Sequence, residues 1–482
     1  MNTKVSVARS YKSKDNLIIL ADYDDFSWTS AFLSEAECRF LQSAARRELS
    51  DVLLPQAQRV IIVQFVKRSP LEAEDRENAR MAGCDILAQL SHYKIDSVVL
   101  LQRSHSLRFR DYLEGMLLGN YQFLKYFKDK TAKRNPLRHI RLESQALSRG
   151  ELRELLAVVR STCTARDLVN EPQSYLSAVK LSEEIEAIGH DAGFRVRVLH
   201  KKDIQKLKVG GLLAVTLGSK CPQTFSILEW KPRRTKNQQP IELVGKGVVY
   251  DTGGMSLKPT PNSMDMMKSD MAGAATVVGT MMAAALAQLP LHLIALVPST
   301  DNRPGHEAYV PGDVVTMYSG STVEILNTDA EGRLLLADAL HYAKKYQPEL
   351  VLDFATLTGS AARAVGPEAI CYMGTTDHSI KSEIEASGQA VYERLIEFPL
   401  WKEYGEYLKS NIADLKNLGG SSSGMITAGK FLEHFTSYPW LHFDIAGPAF
   451  LKNADSYRSK DGTGVGVRLL FDFLKKYKQD YE

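Results

Sequence analysis

The stretch MAGAATVVGTMMAAALAQLPLHLIALVPST, residues 271–300, contains no Asp, Glu, Lys or Arg, and it decides how the rest of the chain is interpreted. Pro290 and His292 divide it into an Ala-rich segment and a shorter segment rich in Leu, Ile and Val. A helix that spans a membrane needs about 20 predominantly apolar residues, more than either part supplies. The pattern therefore predicts a buried helix, then a turn, then a buried parallel strand.

Strand-like runs alternate with helical stretches on both sides of this segment, which is typical of α/β folds. We expect a small amino-terminal α/β domain at residues 1–145 and a linking helix at residues 146–172. A larger α/β domain at residues 173–482 should contain a central mixed, largely parallel sheet. The predicted strands cover residues 16–21, 59–66, 97–102, 194–198, 225–230, 241–245, 292–297, 323–326 and 350–354.

The join between the two domains carries two local signals. The basic segment KYFKDKTAKRNPLRHIR, residues 125–141, contains an Asn-Pro pair and is expected to be a linker or surface loop. A nucleic-acid site is the less favoured interpretation, since charged stretches are usually solvated surface. Ser148 and Glu151 then fit a capping box at the start of the linking helix, and Pro172 marks its end.

Composition indicates an ordinary globular protein. The 482 residues are 44% hydrophobic and 24% charged, with a net charge of +3, so a dedicated nucleic-acid binder is disfavoured. The five cysteines are scattered without a C-x-x-C pair, which argues against a disulfide framework or a cysteine zinc site. The apolar run at residues 17–21 is too short for the core of a signal peptide. We therefore expect a cytoplasmic protein without a membrane segment.

Three acidic segments follow predicted strands or precede predicted helices: VGKGVVYDTGGMSLK at 244–258, MKSDMAG at 267–273 and NTDAEGR at 327–333. Ligands of open parallel sheets bind beyond the carboxyl ends of the strands. Each acidic residue taken singly is typical of a helix cap or a loop. Burying several carboxylates together, however, requires cations, and two divalent ions would form a hydrolytic centre. The carboxylates concerned are Asp251, Asp270, Asp329 and Glu331.

Together, GKGVVYDTGG, MKSDMAGAA and NTDAEGRLLLADAL resemble the M17 leucyl aminopeptidase family, the dinuclear-metal cytosolic aminopeptidases. The similarity covers about residues 150–482 and includes ARDLVNEP at 165–172, FATLTG at 354–359 and DIAG at 444–447. The resemblance implies a metallo-exopeptidase that hydrolyses the amino-terminal residue of peptides through a bridging hydroxide in a two-metal site. It assigns catalysis to residues 173–482 and an oligomerisation or regulatory role to residues 1–145.

Position by position, the resemblance implies a role for each motif residue. Lys258 would polarise the scissile carbonyl, and Arg333 would hold a bicarbonate that acts as general base. The tighter metal would be bound by Lys246, Asp251, Asp270 and Glu331, and the more exchangeable metal by Asp251, Asp329 and Glu331. A lysine ligand must be a neutral amine, so Lys246 can serve only when a metal lowers its pKa.

The resemblance also implies the substrate contacts. The free α-amine of the substrate would bind a metal and Asp270, while the backbone of residues 356–359 guides the peptide. Most of the matching pocket positions are small or apolar, which favours Leu- or Met-like amino termini. The substrate-binding candidates are Met267, Asp270, Thr356, Leu357, Gly359 and Ala446, with Ala449 as a further pocket position.

The implied cofactors are two divalent ions, Mn²⁺ or Zn²⁺ with Mg²⁺ and Co²⁺ as further candidates, and a bicarbonate near Arg333. The implied partners are peptides with a free amino terminus and five further copies in a homohexamer. We expect no membrane partner, and the near-neutral net charge makes nucleic acid a less favoured one. Two alternatives stay open: a different two-metal hydrolase such as a phosphoesterase, and an additional DNA-binding or regulatory role.

Two departures from the family pattern bear on activity. Ala272 precedes Gly273 where the family usually has two glycines, which removes a fully permissive backbone position. One extra residue lies within 259–263. Neither departure removes a candidate ligand, but each could shift substrate preference or activity.

Overall fold

The computed structural model describes residues 3–8, 10–65, 69–103, 108–144 and 146–477. The chain divides into two compact units, Met1–Val159 with Ala454–Ser459, and Arg160–Asn453 with Lys460–Glu482. This division falls within the expected linking helix, and the expected domain boundaries at residues 145 and 172 stay predictions.

The first unit is built on a six-stranded sheet in the order β1-β6-β5-β2-β4-β3, parallel except for β3 against β4. Strand β2 is buried along its whole length, as its apolar sequence requires in the middle of a parallel sheet. The elements are β1 (Lys4–Ala8), β2 (Leu17–Ala21), α1 (Glu35–Arg46), β3 (Asp51–Pro55), β4 (Val60–Phe65), α2 (Glu72–His92), β5 (Ser97–Arg103), α3 (Phe109–Gly119), α4 (Lys130–Lys133) and β6 (His139–Glu143).

The prediction of a linker or surface loop over residues 125–141 is wrong for the last three of these residues. Residues from His139 onward form β6, which lies between β1 and β5 in the sheet. Ile140 and Leu142 are buried, whereas the residues that alternate with them, His139 and Arg141, are not. The two-residue alternation of a strand was therefore present, but the surrounding cationic side chains obscured it.

The second unit contains the remaining elements, with α5 extending across the division between the two units. They are α5 (Arg149–Asn170), α6 (Ala178–Ala192), β7 (Arg195–Leu199), α7 (Lys201–Leu207), α8 (Gly210–Thr216), β8 (Thr224–Trp230), β9 (Ile241–Gly245), β10 (Gly247–Asp251), α9 (Ala272–Ala287), β11 (Leu293–Asn302), β12 (Val314–Thr316), β13 (Thr322–Glu324), α10 (Gly332–Ala343), β14 (Leu350–Ala355), α11 (Gly359–Val365), β15 (Ile370–Gly374), α12 (His378–Val391), β16 (Leu395–Glu397), α13 (Glu403–Glu406), β17 (Leu415–Lys416), α14 (Gly424–Glu433), β18 (Trp440–Asp444), β19 (Phe450–Leu451), β20 (Asp461–Gly462) and α15 (Val467–Lys476). Short 3-10 helices cover Thr29–Ala31, Met264–Ser269 and Lys344–Tyr346.

The main sheet of the second unit follows the order β16-β15-β18-β14-β9-β11-β8-β7, with β10 also paired to β11. Strands β14, β9, β10 and β11 run parallel, and antiparallel pairs occur at β11–β8, β8–β7 and β15–β18. The predicted mixed, largely parallel α/β fold is confirmed.

The charge-free stretch forms α9 and β11, both buried. The helical stretch Met264–Ala287 is long and apolar enough to cross a membrane by composition, yet 94% of its most apolar window is buried inside the protein. Helix α9 packs against β9, β14 and α15, which explains why it is apolar on every side. The predicted buried helix, turn and strand are confirmed. Strand β11 runs parallel to β9 and β10, and antiparallel to β8.

Candidate active site

The centre of the site is Lys246, which separates β9 from β10. Its backbone N–H donates to Phe354 O at 3.1 Å, and its carbonyl accepts from Ala274 N at 2.9 Å, so β14 and the start of α9 hold this residue. The side chain is buried, with Nζ 2.8 Å from Asp270 Oδ2 and 2.9 Å from Glu331 Oε1. The break in the strand therefore points an ammonium group between two carboxylates.

Close packing at the start of α9 explains one departure from the family pattern. A Cβ atom at Gly273 would lie 2.0 Å from Phe354 O and 3.0 Å from Lys246 N. Only glycine fits this contact. Ala272 is the first residue of α9, where ordinary helical backbone accommodates a methyl group.

A second lysine neutralises the other side of the cluster. Lys258 Nζ lies 2.9 Å from Asp251 Oδ2 and 2.5 Å from Asp329 Oδ1. Asp251 is the last residue of β10, and its Oδ1 accepts from Gly253 N and Asn302 Nδ2, both at 2.8 Å. The loop after β10 thus fixes both the carboxylate and the lysine that contacts it.

The candidate metal ligands converge. One carboxylate oxygen from each of Asp251, Asp329 and Glu331 lies within 4.8 Å of the others, and Asp270 joins them through Lys246. In this structure Lys246 is an ion-paired ammonium group, and its role as a neutral ligand stays a prediction. The structure therefore brings all five candidate ligands into one cluster.

Electrostatics show that this cluster holds excess negative charge. Burial, followed by the charges of Asp251 and Glu331, raises the pKa of Asp329 to about 7. Burial and neighbouring carboxylates also raise the pKa of Glu331 and of Asp270. Although burial opposes it, the carboxylates raise the pKa of Lys258. Four carboxylates against two lysines form a hard oxygen-rich donor set that fits divalent cations.

Arg333 is a buried cation with donor capacity to spare. Its Nη1 donates to Asn417 O at 2.7 Å, while its Nε has no hydrogen-bond partner among the residues that the structure describes. Burial lowers the pKa of Arg333 to about 10, against the opposing effect of Glu331 and Asp444. Such a guanidinium can bind a small oxyanion.

The candidate substrate residues occupy loops around the cluster. Thr356 Oγ1 donates to Asp270 Oδ1 at 2.8 Å, and Thr356 O accepts from Lys246 Nζ at 3.0 Å. Leu357 N and Ala446 N both donate to Asp444 Oδ1 at 3.1 Å. The remaining positions are Met267, half-buried in Met264–Ser269, Gly359, the exposed first residue of α11, and Ala449, which is buried.

Sequence reasoning missed Asn302 and the supporting role of Asp444. Asn302 is the last residue of β11 and donates to Asp251 Oδ1 at 2.8 Å. The only available signal was the polar run STDN at the end of an apolar strand. Asp329 was expected to follow a strand of the main sheet. The preceding strand β13 instead belongs to a separate three-stranded sheet with β12 and β17.

Known proteins are similar to this chain in sequence and in fold. The profile of the cytosol aminopeptidase family, catalytic domain, matches residues 163–471. A probable cytosol aminopeptidase of Chlorobium limicola is 43% identical over 380 residues, 76% of this chain and 75% of that protein.

Two solved structures are similar over nearly the whole chain. The bottromycin maturation enzyme BotP in complex with Mn matches with a TM-score of 0.83 and 29% identity, over 96% of this chain and 99% of that one. A mutant of tomato leucine aminopeptidase matches with a TM-score of 0.85 and 25% identity, over 98% of this chain and 96% of that one. The chain therefore belongs to the cytosol aminopeptidase family, M17, and is an enzyme of the leucyl aminopeptidase type.

Proposed function

We propose that this chain hydrolyses the amino-terminal residue from peptides with a free amine, using two divalent ions. The observation that carries the proposal is the approach of Asp251, Asp329 and Glu331 to within 4.8 Å of one another in a largely buried site. Lys246 and Lys258 each contact two carboxylates of this cluster. Such an arrangement is costly unless further positive charge compensates it.

The proposed ligand sets are those that the resemblance to the M17 family implies. The tighter ion is assigned to Lys246, Asp251, Asp270 and Glu331, and the more exchangeable ion to Asp251, Asp329 and Glu331. When bound, the two ions supply Lewis-acid activation of water and of the substrate carbonyl at neutral pH. Mn²⁺ is supported by the Mn complex of the similar enzyme BotP, and Zn²⁺, Mg²⁺ and Co²⁺ stay candidates.

Two cations of the chain would act on the reacting group. Lys258 keeps its proton because Asp251 and Asp329 stabilise the ammonium form, so its Nζ can donate to the oxyanion that develops on the carbonyl oxygen. Arg333 has a buried Nε donor without a partner among the described residues. We assign to it a bicarbonate, which the guanidinium fork would hold and which would supply a general base beside the cluster.

Substrate selection is assigned to the loops at residues 356–359 and 444–449. Asp270, fixed by the Thr356 hydroxyl, would accept the α-amine of the substrate. Asp444 orders the backbone at Leu357 and Ala446, which would guide the peptide. Met267, Leu357 and Ala446 are half-buried apolar side chains, and their character supports a preference for Leu- or Met-like termini.

The assembly and the location are also proposals. Family membership supports a homohexamer and a cytoplasmic location, with residues 1–145 serving oligomerisation or regulation. Light scattering coupled to size-exclusion chromatography should give six times the mass of one chain. A monomeric mass would contradict this part of the proposal.

The activity is tested by stripping the protein with a chelator and reloading it with Mn²⁺ or Zn²⁺. We expect turnover of Leu- and Met-p-nitroanilide, at least about 10-fold above Glu-p-nitroanilide, and none of N-acetyl-Leu-p-nitroanilide. Glu331→Ala should abolish turnover, while Glu307→Ala, on the exposed surface, should leave it unchanged. Turnover of p-nitrophenyl phosphate alone, or full activity after chelation, would overturn the proposal.

A further inference from the structure

Asn302 lies between the two carboxylates that are proposed to contact both ions. It is fully buried, and its Nδ2 donates to Asp251 Oδ1 at 2.8 Å and to Thr328 O at 2.9 Å. The same nitrogen lies 3.5 Å from Glu331 Oε2. All three neighbours are oxygen acceptors, so the amide nitrogen must face them. No other described contact joins Asp251 and Glu331 through one neutral group in this way.

We propose that Asn302 is a positioning residue that sets the spacing of Asp251 and Glu331, and thereby lets the site hold two ions rather than one. The inference rests on the proposed two-metal function. It concerns a residue that is not itself a ligand and touches no substrate.

The chemistry of an amide suits this role. Asp251 and Glu331 both carry a carboxylate within the same cluster, so their like charges repel each other. The two N–H groups of the amide serve the short contacts to Asp251 and Thr328 O, and Glu331 Oε2 at 3.5 Å faces the same positive edge of the amide through a longer, weaker attraction. The amide thus offsets part of the repulsion between the two carboxylates while leaving their negative charge available to cations. An aspartate here would add repulsion, and a lysine or arginine would compete with the ions.

The position of Asn302 is determined on several sides. Its carbonyl accepts from Thr252 N at 3.0 Å and Thr252 Oγ1 at 2.9 Å, beside the register pair of Asp251 with Asn302 in β10 and β11. A Cβ atom at Gly254 would lie 2.7 Å from Asn302 Oδ1. The side chain therefore has little freedom, and its Nδ2 is held between Asp251, the last residue of β10, and Glu331, which precedes α10.

A matched control comes from Tyr309. Its hydroxyl donates to Thr328 O at 2.9 Å, the same carbonyl that Asn302 anchors, without contacting either carboxylate in the described contacts. Tyr309→Phe thus removes one hydrogen bond to the loop that carries Asp329. It keeps the contacts of Asn302 with Asp251 and Glu331. The pair of variants separates loop anchoring from carboxylate positioning.

The test measures Mn²⁺ binding to the stripped full-length protein by calorimetry and electron paramagnetic resonance. The wild type and Tyr309→Phe should bind two ions and show a spin-coupled pair. Asn302→Ala and Asn302→Ser should bind the second ion roughly 10- to 100-fold more weakly and show the signal of isolated Mn²⁺. The serine variant retains a small polar group, so it covers the case in which the alanine variant does not fold.

Two results would overturn the inference. One is wild-type affinity for both ions in a folded Asn302 variant. The other is an equal loss of the second ion in Tyr309→Phe, which would assign the effect to the loop. A wild-type protein that binds fewer than two ions would instead refute the two-metal function itself, and this inference with it.

Discussion

A Cβ atom at Gly332 would lie 2.5 Å from Lys246 Cε and 2.7 Å from Lys246 Nζ. Gly332 is the first residue of α10 and directly follows Glu331. The missing side chain therefore provides the space through which the lysine reaches Asp270 and Glu331. The glycine of NTDAEGR leaves room for this contact and does not serve an unusual backbone angle.

Gly332→Ala should displace the Lys246 side chain and lower kcat/KM for Leu-p-nitroanilide by about 100-fold, since displacements near 1 Å have effects of that size. Gly150→Ala is the matched control, because a Cβ there meets only Ser148 Oγ at 3.9 Å. This control should keep full activity and gain up to about 1 kcal/mol of stability. Wild-type kinetics in Gly332→Ala would contradict the steric argument.

The two neighbouring positions at the start of α9 should respond in opposite ways. Gly273→Ala places a methyl group 2.0 Å from Phe354 O, so we expect loss of soluble folded protein or a fall in Tm of many degrees. Ala272→Gly should cost only about 1 kcal/mol of helix stability and leave turnover unchanged. Circular dichroism melts and steady-state assays distinguish the two. A large change in activity for Ala272→Gly would show that this departure from the family tunes catalysis.

Removing the Lys258 ammonium should affect the chemical step. Lys258→Met should lower kcat by roughly 100- to 1,000-fold with little change in KM, because the donor acts on charge that develops only in the transition state. Lys452→Met is the control, as its Nζ contacts only the surface residue Asn262 among the described hydrogen bonds. Calorimetry should find both ions still bound in Lys258→Met. A rise in KM at constant kcat would assign Lys258 to substrate binding instead.

The burial of Glu242, a residue outside the candidate active site, should make the stability of the protein depend on pH. It lies buried in β9, and neither carboxylate oxygen has a hydrogen-bond partner among the described residues. Burial raises the pKa of Glu242 well above its usual value. The folded state therefore favours the protonated form, so the stability contributed by this group is full below about pH 4.3 and is lost as the pH rises toward the folded-state pKa.

Glu242→Gln should remove that dependence. At pH 7 the variant should unfold at a higher temperature than the wild type, by at least about 1 kcal/mol in stability, and the difference should vanish near pH 4. Glu183→Gln, at an exposed ion pair with Lys180, should show no comparable change. A glutamine variant that is less stable than the wild type at pH 7 would mean that the ionised carboxylate has a partner in the folded protein.

Sequence patterns predicted the fold where apolar runs were long. The helix and strand within residues 271–300 were predicted because this stretch carries no charged side chain. The start of α5 was predicted from the spacing of Ser148 and Glu151, and the structure shows the expected reciprocal hydrogen bonds between them. Strand β6 was missed because only two of its residues are apolar. Strand β10 was missed as a separate element because it continues β9 after a single lysine.

The sequence indicated the candidate metal ligands but missed the neutral Asn302 and the supporting role of Asp444. Asp251, Asp270, Asp329 and Glu331 were found because clustered carboxylates need an explanation. Asn302 has no such signal in one sequence, since a single asparagine after a strand is common in turns. Its importance appears only when β10 and β11 are aligned and the amide is seen between two acids.

The proposed ligands come from parts of the chain that are far apart. Lys246 contacts Asp270 24 positions away and Thr356 110 positions away, and Asp251 contacts Asn302 across 51 positions. Bringing such distant residues together costs loop-closure entropy, which the folded second unit has to offset. In the unfolded chain these carboxylates are far apart. A divalent ion that binds only the assembled cluster would therefore stabilise the folded state over the unfolded state. In this enzyme, metal binding would therefore be coupled to folding, and only correctly folded chains would retain the ions.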